Sequence, residues 1–240
     1  MLNFTNNKSF ASSASSSATS YDAGLREYMV KVYNLMAGAL GISGVVAFLV
    51  ASSPTLMGAL FGTPLAWVVM FAPLGFVFFF GYKISSISVE RARTYLWIFA
   101  ALMGLSMSSI FMIYTSTSIA RVFFISASTF GMTALYGYTT KRDLTSMGSF
   151  MIMGLIGLLI ASLFNTFLQS SALHFATSII GMIIFIGLTA YDSQRIKQMY
   201  YHASGSADAI SRMAVMGALN LYMDFINLFM TMLNFFGDRK

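Results

Sequence analysis

The chain has 240 residues, of which 57% are hydrophobic and only 9% charged, with a mean hydropathy of +0.74. A soluble domain carries about 25% charged residues, so this composition excludes a soluble globule and defines an integral membrane protein. The net charge of +6 comes without a basic stripe interleaved with aromatics, which argues against nucleic acid as a partner, and the absence of cysteine excludes disulfides, thiol catalysis and thiolate metal sites.

Residues Met1 to Ser20 are polar and low in complexity, with Ala11 to Ser20 reading ASSASSSATS. Such a segment buries too little apolar surface to fold, which predicts a disordered tail. No apolar core or cleavage site precedes the first span, so the tail does not read as a secretory signal. A short amphipathic lead-in, Tyr21 to Lys31, places Arg26 and Lys31 at a membrane surface. The expected division is a tail and lead-in over residues 1–27 and a membrane domain over residues 28–240.

A helix needs about 20 residues to cross the hydrocarbon core. Seven apolar segments meet that requirement, near Val32 to Ala51, Pro64 to Tyr82, Tyr95 to Tyr114, Val122 to Tyr138, Met147 to Leu168, Leu173 to Tyr191 and Met216 to Gly237. The fold class is therefore all-α and polytopic. In the first segment Gly38, Gly41 and Gly44 recur every three residues, a pattern that permits close helix approach. Pro73 is expected to kink the second.

Eleven of the fourteen basic residues fall on one side of this arrangement; only Arg121, Arg239 and Lys240 fall on the other. The positive-inside bias then puts the amino terminus in the cytoplasm. The two basic residues at the carboxyl end fit a seventh crossing less well, so a re-entrant last segment stands as the alternative.

The last segment carries the informative pattern. Asn220, Asp224, Asn227, Thr231 and Asn234 follow one another at steps of four, three, four and three. On a helix that spacing forms a single polar stripe, with Leu, Met, Phe and Ile elsewhere. An acid on such a stripe needs protein or a water-filled cavity in front of it. Asn220, Asn227, Thr231 and Asn234 are accordingly candidates for lining a pathway, with helix-to-helix hydrogen bonding as the plainer alternative.

Of the eight acidic residues, six fall in tails or loops. The other two are Asp192, at the inner end of the sixth segment, and Asp224. If they meet in a low dielectric they cannot both stay ionised cheaply, and they share a proton and titrate as a pair. Protonated, such a pair holds two helices together; ionised, it repels itself or recruits a cation. Arg195, three residues beyond Asp192, is a competing charge partner. His174 and His202 read as loop or interfacial residues.

Tyr191-Asp192-Ser193-Gln194-Arg195-Ile196-Lys197, followed by Leu221-Tyr222-Met223-Asp224-Phe225-Ile226-Asn227-Leu228-Phe229, resembles the signature of the Bax inhibitor-1 (YccA-like) membrane proteins. The resemblance covers about Tyr28 to Gly237. It implies a bundle with the last helix central and the other six wrapped around it in two layers. It implies a pH-sensitive calcium leak of the bacterial cytoplasmic (inner) membrane, gated by the carboxylates at Asp192 and Asp224. These would also be a weak, transient metal site for Ca²⁺ as permeant ion, with no cofactor. Lys83 is the only charged candidate at the right end of the second segment to latch onto Asp192. The resemblance also implies, as an alternative function, an interaction protein that modulates a membrane-bound ATP-dependent protease. An intramembrane aspartyl protease is disfavoured because Asp224 follows Leu221-Tyr222-Met223 instead of Gly-x-Gly. No other enzyme motif is present, so the expectation is a non-enzyme.

Overall fold

A computed structural model describes residues 7–84, 86–202 and 206–240, with side chains from residue 23 onward. Of the serine-rich tail expected to be disordered over residues 1–20, residues 7–20 form the helical start of α1 and residues 1–6 lie outside the described residues. Seven long crossings are present. They are α1 (Asn7–Ala51), α3 (Leu65–Lys83), α4 (Val89–Met107) with its continuation α5 (Ile110–Ile113), α6 (Ser116–Thr139), α7 (Thr145–Leu168), α8 (Ser171–His202) and α9 (Ala207–Phe236). A further short helix, α2 (Pro54–Phe61), sits in the first connection and was not anticipated.

Local chemistry sets many of these boundaries. Ser53 is extended and its hydroxyl accepts from Leu56 N, with Pro54 in the first helical turn where its missing N–H costs nothing. Ser88, Thr115 and Ser206 cap α4, α6 and α9 in the same way. Gln169 ends α7 in the left-handed region, at φ 49°.

Two helices are longer than their apolar runs. α8 continues ten residues past Asp192, and α9 begins nine residues before Met216. These added turns hold Arg195, Lys197, Asp208 and Arg212, which hydropathy counts as loop although the backbone stays helical. The lead-in also belongs to the bundle: Leu25, Tyr28 and Met29 are buried on α1.

The last helix is the centre of the fold. α1, α4, α6 and α8 pack directly against α9, whereas α3 rests on α4 and α7 on α8. This gives the two layers expected around a central helix. α7 exposes Phe150, Leu159 and Phe167, as a lipid-facing helix does.

The re-entrant alternative does not hold. α9 is an unbroken helix of 30 residues, about 45 Å at the helical rise, against a hydrocarbon core of about 30 Å. Its far end meets the opposite face: Arg121 Nη2 lies 3.0 Å from Asp238 Oδ2, and Lys240 N donates to Ile113 O at 2.9 Å. Arg239 and Lys240 therefore share the end occupied by Arg121.

The glycine stripe of α1 behaves differently from its expectation. A Cβ at Gly38 would touch the Trp97 ring, but one at Gly41 or Gly44 would meet nothing within 4 Å. The close approach of α1 and α4 is made from the other side, by Gly104, where a Cβ would stand 2.6 Å from Ser43 O. The small residue that matters sits on the partner helix, outside the periodic pattern.

Candidate functional site

Two close contacts fix the stretch of α8 that precedes Asp192. Gly137 of α6 lies directly against the Ala190 carbonyl, and Gly148 of α7 lies against the Tyr191 ring. On α9, Gly217 admits Ile196 of α8, while farther along Thr231 fits against Gly181. Backbones this close leave little freedom for the side chains between them.

Asp192 and Asp224 meet in that space, their carboxyl groups within hydrogen-bonding reach of each other. Ionised carboxylates only accept, so a hydrogen bond between these two groups forms only when one of them carries a proton. Asp224 is 8% exposed, and its Oδ2 has no hydrogen-bond partner among the described residues. Asp192 is slightly more open, its side chain 16% exposed.

Arg195 Nη1 stands 3.9 Å from Asp192 Oδ1, too far for a direct hydrogen bond, and its side chain is half exposed. The other proposed partner, Lys83, is exposed at the end of α3 and forms no ion pair among the described residues. Asp224 lies seventeen residues into α9, about 25 Å along it, and Asp192 ten residues from the end of α8, about 15 Å. Asp224 is thus close to mid-helix.

The polar stripe is divided. Between Ala214 and Phe235 the fully exposed positions on α9 are Asn227 and Asn234, with Asn220 and Thr231 half-buried. The most buried helix of the bundle thus opens outward most at two of its polar residues, while Met216, Met223 and Met230 are half-buried like Asn220 and Thr231. Asn234 Oδ1 accepts from Tyr114 Oη at 2.8 Å, and Thr231 turns its hydroxyl to Asn227 O of its own helix at 2.8 Å. Helix-to-helix hydrogen bonding therefore explains Asn234, and it does not explain Asn227.

Two polar contacts were missed by the sequence reading although both lie inside the quoted motifs. Tyr222 Oη is 2.7 Å from Ser43 Oγ, which also reaches Ala100 O at 2.7 Å and so links α9, α1 and α4 in the core. Gln194 clamps the α6–α7 loop, accepting from Leu144 N at 2.8 Å and donating to Arg142 O at 2.7 Å. Motif membership marked both residues, but only the fold supplies partners 50 or more positions away.

These features define a polytopic α-helical membrane protein whose central helix presents a buried carboxyl to a second carboxyl on its neighbour. The chain belongs to the Bax inhibitor-1 family: the family model described as inhibitor of apoptosis-promoting Bax1 matches residues 25–240. An uncharacterized protein of Rickettsia prowazekii is 50% identical over 220 residues, covering 92% of this chain and 93% of that one. The inner membrane protein YbhL of Escherichia coli is 41% identical over 220 residues, covering 91% and 94%.

Proposed function

We propose that this protein is a pH-sensitive leak for cations, Ca²⁺ foremost, in a bacterial inner membrane, with Asp192 and Asp224 as its gate. The observation that carries this reading is the contact between two carboxyl groups inside a membrane bundle. With a proton between them the pair bridges α8 and α9. Without it, two negative charges face each other, and among the described residues Arg195, at 3.9 Å, is the one cation in ion-pair range to offset them. The pair then separates or takes up a cation.

The rest of the geometry supports passage over storage. Among the described residues no cluster of three or more His, Cys, Asp or Glu side chains is placed to hold a metal. Ca²⁺ takes six to eight oxygens, so two carboxylates bind it weakly and release it, as conduction requires. The open polar face of α9 supplies a wall for the route. The positive-inside rule directs the basic end of the bundle, with the amino terminus, to the cytoplasm, and the choice of an inner membrane follows the relative in Escherichia coli.

The test is Ca²⁺ flux into liposomes containing the purified protein, measured across a pH series. The wild type is expected to change its flux with pH, and Asp192→Asn to flatten that dependence. Flux that ignores both pH and the substitution overturns the reading.

A further inference from the structure

At the basic end of the bundle, the α6–α7 loop and the last turns of α8 border an open hollow of about 540 Å³, separate from the carboxyl pair. Lys141, Arg142, Asp143, Gln194, Lys197 and Gln198 line it. Three of these are cations and one is an acid. The acid is already engaged: Asp143 Oδ1 accepts from both the hydroxyl and the backbone N–H of Thr145, at 2.6 and 2.9 Å. Those two bonds, the hydroxyl first, hold its carboxyl below the usual carboxylate range, so it stays ionised beside the first turn of α7.

None of the three cations has an acidic partner among the described residues. Lys197 Nζ donates to Tyr138 O at 2.8 Å and lies 5.4 Å from the centre of the Tyr138 ring. Both contacts hold the ammonium in place and neither neutralises it. The loop that carries Lys141 and Arg142 is itself fixed, because Gln194 bonds to Arg142 O and Leu144 N. Three cations and one ionised carboxylate are thus gathered around one polar hollow by a buried clamp, at the edge of a membrane, and positive charge is in excess there. A surface arranged only for solvation has no need of the clamp.

We infer that this cavity, formed by Lys141, Arg142 and Lys197 over the Gln194 clamp, binds a phosphate group, either of an anionic lipid headgroup or of a free phosphate. Its volume admits the phosphate together with part of the molecule that bears it. Guanidinium and ammonium donors are the groups that recognise phosphate oxygens, and the membrane edge is where anionic headgroups lie. The inference does not depend on the leak reading, since it concerns residues outside the carboxyl pair.

The experiment is native mass spectrometry of the full chain in detergent, titrated separately with phosphatidylglycerol, phosphatidylcholine and inorganic phosphate. Lys141→Gln/Arg142→Gln removes two exposed cations with no side-chain bonds to lose. Arg26→Gln/Arg91→Gln removes two exposed cations elsewhere at the same end. Wild type is expected to prefer phosphatidylglycerol to phosphatidylcholine, and the cavity variant to bind it about thirtyfold more weakly, as two lost cation contacts imply, while the control is unchanged. Competition by inorganic phosphate identifies free phosphate as a sufficient ligand, whereas retention of phosphatidylglycerol in its presence identifies the lipid headgroup. Equal weakening in both variants, no weakening in either, or equal binding of the two lipids by wild type overturns the inference.

Discussion

Tyr222 Oη and Ser43 Oγ lie 2.7 Å apart in the core, two residues along α9 from Asp224. Ser43 also reaches the Ala100 carbonyl, so three helices meet at one hydroxyl pair. A buried hydrogen bond contributes about 0.5–1.5 kcal/mol net, while an orphaned partner costs about 1–3 kcal/mol. Tyr222→Phe and Ser43→Ala are each expected to lower the thermal unfolding temperature in detergent. The double variant is expected to be no worse than the poorer single one, because it leaves neither hydroxyl unpaired. Additive losses would show that the two groups do not act together.

Gly104 is where α1 and α4 touch, and a Cβ there would stand 2.6 Å from Ser43 O. Backbone cannot yield as a flexible side chain does. Gly104→Ala is therefore expected to destabilise by about 1–3 kcal/mol, the usual range for overpacking. Gly41→Ala meets open space and improves helix propensity, so it is expected to be neutral or to stabilise by up to about 1 kcal/mol. Unfolding temperatures of the two variants in one detergent check the contrast.

How far the sequence reaches is visible in these residues. The seven crossings and the central last helix were legible, because hydropathy and motif spacing are properties of a line of residues. Gly104, Ser43 and Gln194 were not, because their partners lie on other helices and depend on packing that no local period encodes. The start of α9 was misplaced for a different reason. Asp208 and Arg212 interrupt the apolar run, but a Ser206 cap and unbroken backbone bonds carry the helix through them.

Gln194 holds the α6–α7 loop by both ends of its amide and is 6% exposed. Gln194→Ala leaves the Leu144 N–H and the Arg142 carbonyl without that partner. Leu144 is itself buried, so its unpaired N–H is expected to account for most of a loss of about 1–3 kcal/mol. Gln194→Glu keeps the acceptor for Leu144 N and removes the donor to Arg142 O, so it retains part of the clamp at the cost of a buried charge. Limited proteolysis at Lys141 and Arg142 reads the loop directly. Cleavage should be fastest in Gln194→Ala, and equal rates in wild type and Gln194→Ala would mean the clamp does not restrain the loop.

Asn227 separates the pathway reading of α9 from simple packing. It is exposed at mid-helix, its backbone carbonyl accepts from Thr231, and its side chain makes no hydrogen bond among the described residues. An amide facing hydrocarbon is unfavourable, so if lipid covers this position Asn227→Leu should raise the unfolding temperature and leave ion flux alone. If the position faces water in a conducting route, the same substitution lines the route with a methyl-tipped chain, reducing Ca²⁺ flux several-fold with little change in stability. The second outcome is expected, because the exposed positions of this otherwise buried helix fall on its polar stripe. Measuring flux and unfolding temperature on the same preparation distinguishes the two, since each setting moves one quantity and spares the other.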